Sequence, residues 1–358
     1  VPGGELILWA DELKRRSDLP VIINCAGRTR SIIGTAALRR LGLTNVRALR
    51  NGTMGWVLAG FELETKPGRQ SAAPPPESKE IARALASRLV NEEKISPLSP
   101  LEVSSVTENG RDGVTYLIDV RSEAEYEAGH MTNSTNVPGG QAVQRADDFV
   151  AVRNAQIIFI SDHAARAAMA AYWYQQMGFP NVHLLDGGLD AWTKSGGKLE
   201  VGAAVRAPLG IEVARQVVRY VDTRALKQKI ADSSVLVLDV GASLDFEADH
   251  VPGTRWMPRG WLEIKFSQQF PDRNQAIVVT CLDGAQSTFA ALTLTEIGYT
   301  DVSVLKDGVR AWSAAGLSTE KGLGGCLVEP NDVVLSPSVR GDKEAMQRYL
   351  DWETKLPH

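Results

Sequence analysis

The sequence predicts an α/β protein made of repeated units, each a mostly parallel sheet covered by helices on both faces. Three observations carry this. Short apolar runs alternate with helical patterns along most of the chain, as in parallel sheets buried on both sides. One layout, an apolar run followed by a polar loop and a helix start, occurs three times: VIINCAGRTRS from Val21, IIFISDHAARAA from Ile157 and IVVTCLDGAQS from Ile277. Around each loop the same landmarks return at nearly fixed distances, the signature of an internal repeat.

Aligned on Cys25, Asp162 and Cys281, the loops follow Pro2, Pro138 and Pro258 by 23, 24 and 23 residues and precede Trp56, Trp192 and Trp312 by 31, 30 and 31. A Gly-containing turn stands before each tryptophan: Asn51-Gly52, Gly187-Gly188 and Asp307-Gly308. The helical pattern after each loop stops at Gly42, Gly178 or Gly298, where glycine readily takes the left-handed cap conformation. Upstream, Asp119 and Asp239 each precede a histidine (His130, His250) by 11 residues and a proline by 19. The first copy begins at Val1-Pro2-Gly3-Gly4, the counterpart of Val137-Pro138-Gly139-Gly140. Its first strand is missing, and Val1 reads as the middle of a domain in a longer parent. An unpaired strand face would follow there, covered by another domain, a symmetry mate or parent residues.

The chain has 358 residues, 44% hydrophobic and 23% charged, with a net charge of −4. These values describe a globular protein with ample core and argue against a general nucleic-acid binder. No apolar run reaches the length of a membrane span. Three cysteines (Cys25, Cys281, Cys326) are too few and too odd for a disulfide framework and point to a reducing cytoplasm. Histidines and cysteines never cluster at metal-ligand spacing, so no metal is expected, and no organic cofactor is implied.

The loops carry the chemistry. A strand that ends in a tight loop and opens a helix aims several backbone N–H groups and the helix dipole at one point. A cysteine there is favoured as a thiolate nucleophile. Arg28 and Arg30 add positive charge beside Cys25, which suits an anionic sulfur donor, although a charged loop can also be merely solvated. The loop after Cys281 has no arginine and carries Asp283, which should raise its thiol pKa and repel anions. Asp239-Val240 is followed by Gly241 where Asp119-Val120 is followed by Arg121. The middle copy has no cysteine; Asp162 is suited to cap its helix, and His163 reads as a surface residue. Cys326 reads as an incidental thiol, His130 and His250 as turn-stabilising groups, and the three tryptophans as packing anchors.

With Asp119-Val120-Arg121, Gly129-His130, the Val-Pro-Gly-Gly segments, Cys25 to Arg30 and the Gly-turn-Trp segments in view, the chain resembles tandem rhodanese-like sulfurtransferases from Val1 to about Leu317. The resemblance implies rhodanese-like domains with mostly parallel five-stranded sheets. It also implies a six-residue loop that opens on a cysteine, takes a sulfane sulfur as a persulfide and passes it to a thiol or cyanide, with thiosulfate as the usual test donor. On that basis Cys25 and Cys281 are the catalytic candidates. Ala26, Gly27, Arg28, Thr29 and Arg30, and Leu282, Asp283, Gly284, Ala285 and Gln286, are the substrate-binding ones. The expected layout is a partial domain over 1–67, a Pro-rich linker and helix over 68–96, a domain without nucleophile over 97–203, a domain over 204–320, and a tail with one helix over 321–358. Partners are a small thiosulfate-like donor and a thiol or cyanide acceptor, with no nucleic acid or membrane and with oligomerisation left open. Two alternatives stand beside this reading: a non-catalytic binding or scaffold protein, and a cysteine phosphatase or arsenate reductase. The second needs an arginine six positions after the cysteine, where this chain has Ser31 and Ser287.

Overall fold

A computed structural model describes residues 1–16, 18–64, 73–109, 114–203, 207–333 and 335–356, with backbone only at 107–109 and 340. The first part of the expected linker (68–72), the boundary between 67 and 68 and the boundary residue 204 lie outside the described residues. The chain divides into two compact units, 1–204 with 336–358, and 205–335.

The first unit holds two sheets. β1 (Val21–Ile23) and β2 (Val46–Ala48) pair in parallel as a two-stranded sheet. β3 (Ser96–Leu98), β4 (Thr115–Asp119), β5 (Thr135–Asn136), β6 (Gln156–Ile160) and β7 (Val182–Leu185) form a five-stranded sheet in the order β3-β7-β6-β4-β5, every pairing parallel. The second unit repeats it with β8 (Tyr220–Val221), β9 (Leu236–Asp239), β10 (Arg255–Trp256), β11 (Ile277–Thr280) and β12 (Val302–Leu305), in the order β10-β9-β11-β12-β8.

The central strands explain why these runs are apolar throughout. Side chains alternate across a strand, so a strand with helices on both sides needs apolar residues at every position. In β6, Ile157 and Phe159 pack with Ile118, Val182 and Leu184 on one face, while Ile158 and Ile160 pack with Leu117 and Leu185 on the other. In β11, Ile277 and Val279 face one way with Leu238 and Val304, and Val278 faces the other with Val237 and Leu305. Burying each such side chain contributes roughly 1.5–3 kcal/mol.

The first copy, with its two paired strands, is packed against its neighbours through helices. Leu6, Ile7, Ala10 and Leu38 cluster with Ala82 and Ala86 of the helix Pro76–Glu92 and with Ala165 and Ala168 of the helix Ala165–Gln176. Small alanine faces let these helices approach closely. Arg40 anchors the same helix end through Glu92 and Glu93, each at 2.7 Å. Val1 to Gly4 also meets its own counterpart, a Cβ on Gly4 falling 3.0 Å from Gly139 Cα. Leu19, Ile22, Ile32 and Phe61 of this copy are about half exposed.

The tail does not act as one piece. Trp256 N donates to Gly325 O and Leu327 N to Trp256 O, which adds this segment to the β10 edge and leaves the Cys326 thiol partly buried there. The helix Lys343–Glu353 belongs to the first unit, where Met346 and Leu350 pack on Met54. No helix among the described residues is long and apolar enough to cross a membrane.

Candidate functional site

Each loop is pinned by the turn that precedes its tryptophan helix. The carbonyl of the first loop residue accepts a hydrogen bond from a backbone N–H later in the chain: Cys25 from Thr53 (2.8 Å), Ser161 from Leu189 (2.9 Å) and Cys281 from Val309 (2.9 Å). The next carbonyl repeats the pattern, Ala26 with Met54, Asp162 with Asp190 and Leu282 with Arg310. The residue equivalent to Cys25 and Cys281 is therefore Ser161, and the alignment on Asp162 is one residue out. With Ser161 in place the offsets become 23 to the proline and 31 to the tryptophan in all three copies. The aspartate misleads because it is the conspicuous polar residue, whereas Ser161 closes the apolar run and is fully buried.

The turn demands glycine. Gly52, Gly188 and Gly308 have φ of 57°, 62° and 63°. A Cβ there would stand 2.2, 2.4 and 2.1 Å from the carbonyl oxygens of Cys25, Ser161 and Cys281. No side chain fits, so glycine alone lets the turn close on the loop. Each tryptophan then locks the following turn, its indole N–H donating to the carbonyl of Glu62, Lys198 or Ser318.

Around Cys25, Sγ lies 3.5 Å from Ser31 Oγ, which itself donates to Arg28 O at 2.8 Å. Arg28 reaches Asn51 Oδ1 at 3.4 Å. Arg30 is exposed in the first turn of the helix Thr29–Arg40. Gly27 is buried, and Ala26 packs with Met54 and Tyr349. Thr29 donates to Glu353 of the C-terminal helix, a contact between residues 324 positions apart that no local pattern announces.

Around Cys281 the thiol is buried, with Sγ 3.4 Å from both the hydroxyl and the backbone N of Ser287. Burial pushes this thiol up; hydrogen bonds from Ser287 and the Asp283 backbone pull it down, and the charge of Asp239 adds to the rise. The acidic influence thus comes from Asp239 on β9, and not from Asp283 as expected from the sequence. Asp283 instead accepts from Ala285 N at 3.0 Å within the loop, with its Oδ1 3.8 Å from Sγ. Gly284, at φ 87°, opens the helix that carries Ala285 and Gln286. A cavity of about 460 Å³ lies over the thiol, lined among others by Leu282, Asp245, Asp283, Asp332, Gln286 and Arg259. Arg259 donates to Gln286 Oε1 at 2.9 Å and supplies a cation that the loop lacks. Sequence reasoning missed it, although it follows the landmark Pro258 where the other copies carry Gly3 and Gly139.

Asp239 and its counterpart Asp119 differ in one neighbour. Asp119 takes three bonds from the Arg121 side chain and one from its N–H. Among the described residues Asp239 receives the Gly241 N–H alone, at 2.8 Å. Burial, opposed by that bond and assisted by Asp245, pushes the Asp239 carboxyl up to about 7.

The middle copy presents a neutralised version of the loop. Ser161 Oγ accepts from Ala167 N at 3.3 Å, the same place in which Cys281 Sγ accepts from Ser287 N. Arg166, the sixth loop residue, is buried and donates to Glu5, Glu125 and Asp162 at 2.7–2.9 Å. Burial opposes their charges, yet Arg166 holds Asp162 below the usual carboxylate range and, with Ser122, holds Glu125 at about 2. Asp162 therefore pairs with Arg166 rather than capping the helix, whose start at Ala164 has no side-chain cap. His163 is half-buried between Asp162 and Asp190, with Arg83 3.1 Å from its ring, and is not a surface residue. His130 and His250 stack on Tyr126 and Phe246 at 3.9 Å and bond to the carbonyls of those residues, which makes them structural. Among the described residues no group of three or more His, Cys, Asp or Glu side chains could hold a metal ion.

Two parallel five-stranded sheets each end their central strand in the same strand–loop–helix turn, opening on Ser161 in one and on Cys281 in the other. The Rhodanese-like domain family model matches residues 102–195 and 222–315, and the chain belongs to that family. A sulfurtransferase of Allochromatium vinosum is 31% identical over 101 residues, covering 28% of this chain and 92% of that protein. The putative thiosulfate sulfurtransferase SseB of Mycobacterium tuberculosis is 25% identical over 204 residues, covering 50% of this chain and 71% of the relative. The crystal structure of a thiosulfate sulfurtransferase from Pseudomonas aeruginosa matches 99% of this chain with a TM-score of 0.88 and 34% identity. The chain spans 66% of that protein's length.

Proposed function

We propose that this chain transfers sulfane sulfur through a cysteine persulfide, with Cys25 as the principal nucleophile toward thiosulfate-like donors and Cys281 as a second one. The observation that carries this reading is the shared seat of the two sulfurs, 3.5 and 3.4 Å from the hydroxyls of Ser31 and Ser287 at the mouth of a helix. The Cys25 thiolate attacks the outer sulfur of thiosulfate, the S–S bond breaks, and sulfite leaves with the electron pair. The persulfide left on Cys25 sits among the backbone N–H groups of Ala26 to Arg30, an arrangement like an oxyanion hole. Arg28 and Arg30 attract the dianion, and Arg259 with Gln286 plays that part more weakly beside Cys281. An acceptor thiol or cyanide then takes the terminal sulfur and restores the thiolate.

The middle copy is read as a structural repeat, because a serine fills the sulfur position and three carboxylates neutralise its arginine. Its helix Ala165–Gln176 instead supports the first copy, with Ala165 and Ala168 packed among Leu6, Ile7, Ala10 and Leu38. A reducing compartment suits free Cys25 and Cys281. Thiocyanate production from thiosulfate and cyanide tests the reading: it should fall at least tenfold in Cys25→Ser and by a smaller factor in Cys281→Ser. Unchanged turnover in the double variant would refute it.

A further inference from the structure

The residue that the Cys25 loop meets from farthest away in sequence is acidic. Glu353, in the last turn of the helix Lys343–Glu353, accepts the Thr29 hydroxyl on Oε1. Its other oxygen, Oε2, is buried and has no hydrogen-bond partner among the described residues. That oxygen and Tyr349 Cε1 each lie 3.3 Å from where a Cβ on Gly27 would stand, so both side chains abut the middle of the loop. Met346 and Leu350 fix the helix in this place by packing on Met54, beside Ala26, Val57 and Leu58. Tyr349 registers the same proximity: its phenol is pushed up first by burial, then by the charges of Glu353 and Cys25.

From this geometry we infer that Glu353 and Tyr349 are specificity-determining residues of the Cys25 site, forming an acidic wall that selects sulfur compounds bearing an ammonium group over anionic ones. A carboxylate beside the loop acts through its charge, repelling a second anion and favouring a cation, and the effect is strong where water is excluded. Arg28 and Arg30 lie on the loop itself, and the charge of Arg30 reaches Tyr349 as well, so the site has positive charge from the loop side and negative charge from the C-terminal helix. Such a pair fits an aminothiol or its persulfide: sulfur toward the thiolate and the arginines, ammonium toward Glu353. Free thiosulfate, with two negative charges and no donor hydrogen, satisfies only the first side. This inference rests on the proposed chemistry at Cys25 and narrows its substrate class.

The test uses two methanethiosulfonates of equal length, one with a trimethylammonium tail and one with a sulfonate tail. In each case the Cys25 thiolate attacks the sulfenyl sulfur, a mixed disulfide forms and methanesulfinate leaves. The readout is the ratio of the two modification rates at Cys25, measured by peptide mass spectrometry in the full chain, with Cys281 as internal control. Glu353→Gln keeps the acceptor for Thr29 and removes the charge. It should lower the cation-to-anion rate ratio at Cys25 by about tenfold at low ionic strength, less in high salt, and leave the ratio at Cys281 unchanged. Glu353→Lys should reverse the preference. An unchanged ratio at Cys25 in Glu353→Gln, with Tm matching wild type, would overturn the inference. The readout does not require persulfide formation. If thiosulfate loads Cys25 but the ratio is insensitive to Glu353, the wall is wrong and the sulfur-transfer reading stands. A ratio that shifts without any sulfur loading supports the wall and refutes sulfur transfer at Cys25.

Discussion

The sulfur of Cys281 lies 3.4 Å from both the hydroxyl and the backbone N–H of Ser287, six residues further on. That pair opposes the effect of burial on the thiol. Ser287→Ala removes one of the two stabilising contacts and leaves the backbone N–H. The Cys281 thiol pKa should therefore rise further, and alkylation of Cys281 by iodoacetamide at pH 7 should slow by roughly three- to tenfold. The pH dependence of that rate, followed by peptide mass spectrometry, checks it.

Asp239 adds a pH dependence of its own. Its folded carboxyl is pushed up to about 7, above the ordinary aspartate value, by burial and by the charge of Asp245, against the one bond it takes from Gly241 N–H among the described residues. A folded pKa raised above the unfolded one means that the folded state holds the proton more tightly. Its contribution to stability is complete below about pH 4 and is lost as the pH rises through about 7. Asp239→Asn keeps the acceptor for Gly241 and should flatten urea stability between pH 4 and 8. It should also lower the Cys281 thiol pKa and speed its alkylation at pH 7. A stability profile for Asp239→Asn with the wild-type slope would contradict the titration assigned to this carboxyl.

Arg166 should matter more than any surface ion pair in the chain. Its buried guanidinium holds Glu5, Glu125 and Asp162 together, and removing one partner of a buried pair leaves uncompensated charge. Arg166→Met is expected to destabilise the first unit by about 3 kcal/mol in urea unfolding. The matched change at the exposed pair of Arg215 and Glu212 should cost less than about 1 kcal/mol.

Gly308→Ala should separate packing from chemistry at the third loop. The new Cβ would lie 2.1 Å from Cys281 O at a φ of 63°, so the turn must move. A loss above about 1 kcal/mol is expected, together with a changed alkylation rate at Cys281. The same substitution at Gly316, with open space around its Cβ, isolates the backbone component of the loss.

The parallel sheets were legible because their central strands carry unbroken apolar runs, 157–160 and 277–279, as strands covered on both faces require. The equivalent places of Cys25 and Cys281 in the fold were legible because loop, helix start, glycine turn and tryptophan recur together. Ser161 was not, since a buried serine at the end of an apolar run carries no chemical signal and the aspartate beside it does. Arg259 and Asp239 escaped notice as parts of the Cys281 environment because they come from other strands and loops, and only folding brings them to the thiol. Glu353 was beyond reach for the same reason, 324 residues from the threonine it binds.

The most direct test of sulfur transfer is intact-mass spectrometry after incubation with thiosulfate under non-reducing conditions. Wild type should gain the mass of one sulfur atom, and Cys25→Ser should abolish most of that gain while Cys281→Ser keeps it. A gain that survives Cys25→Ser and vanishes in Cys281→Ser would contradict the assignment of the principal nucleophile. No gain in any form would contradict persulfide chemistry in this chain altogether.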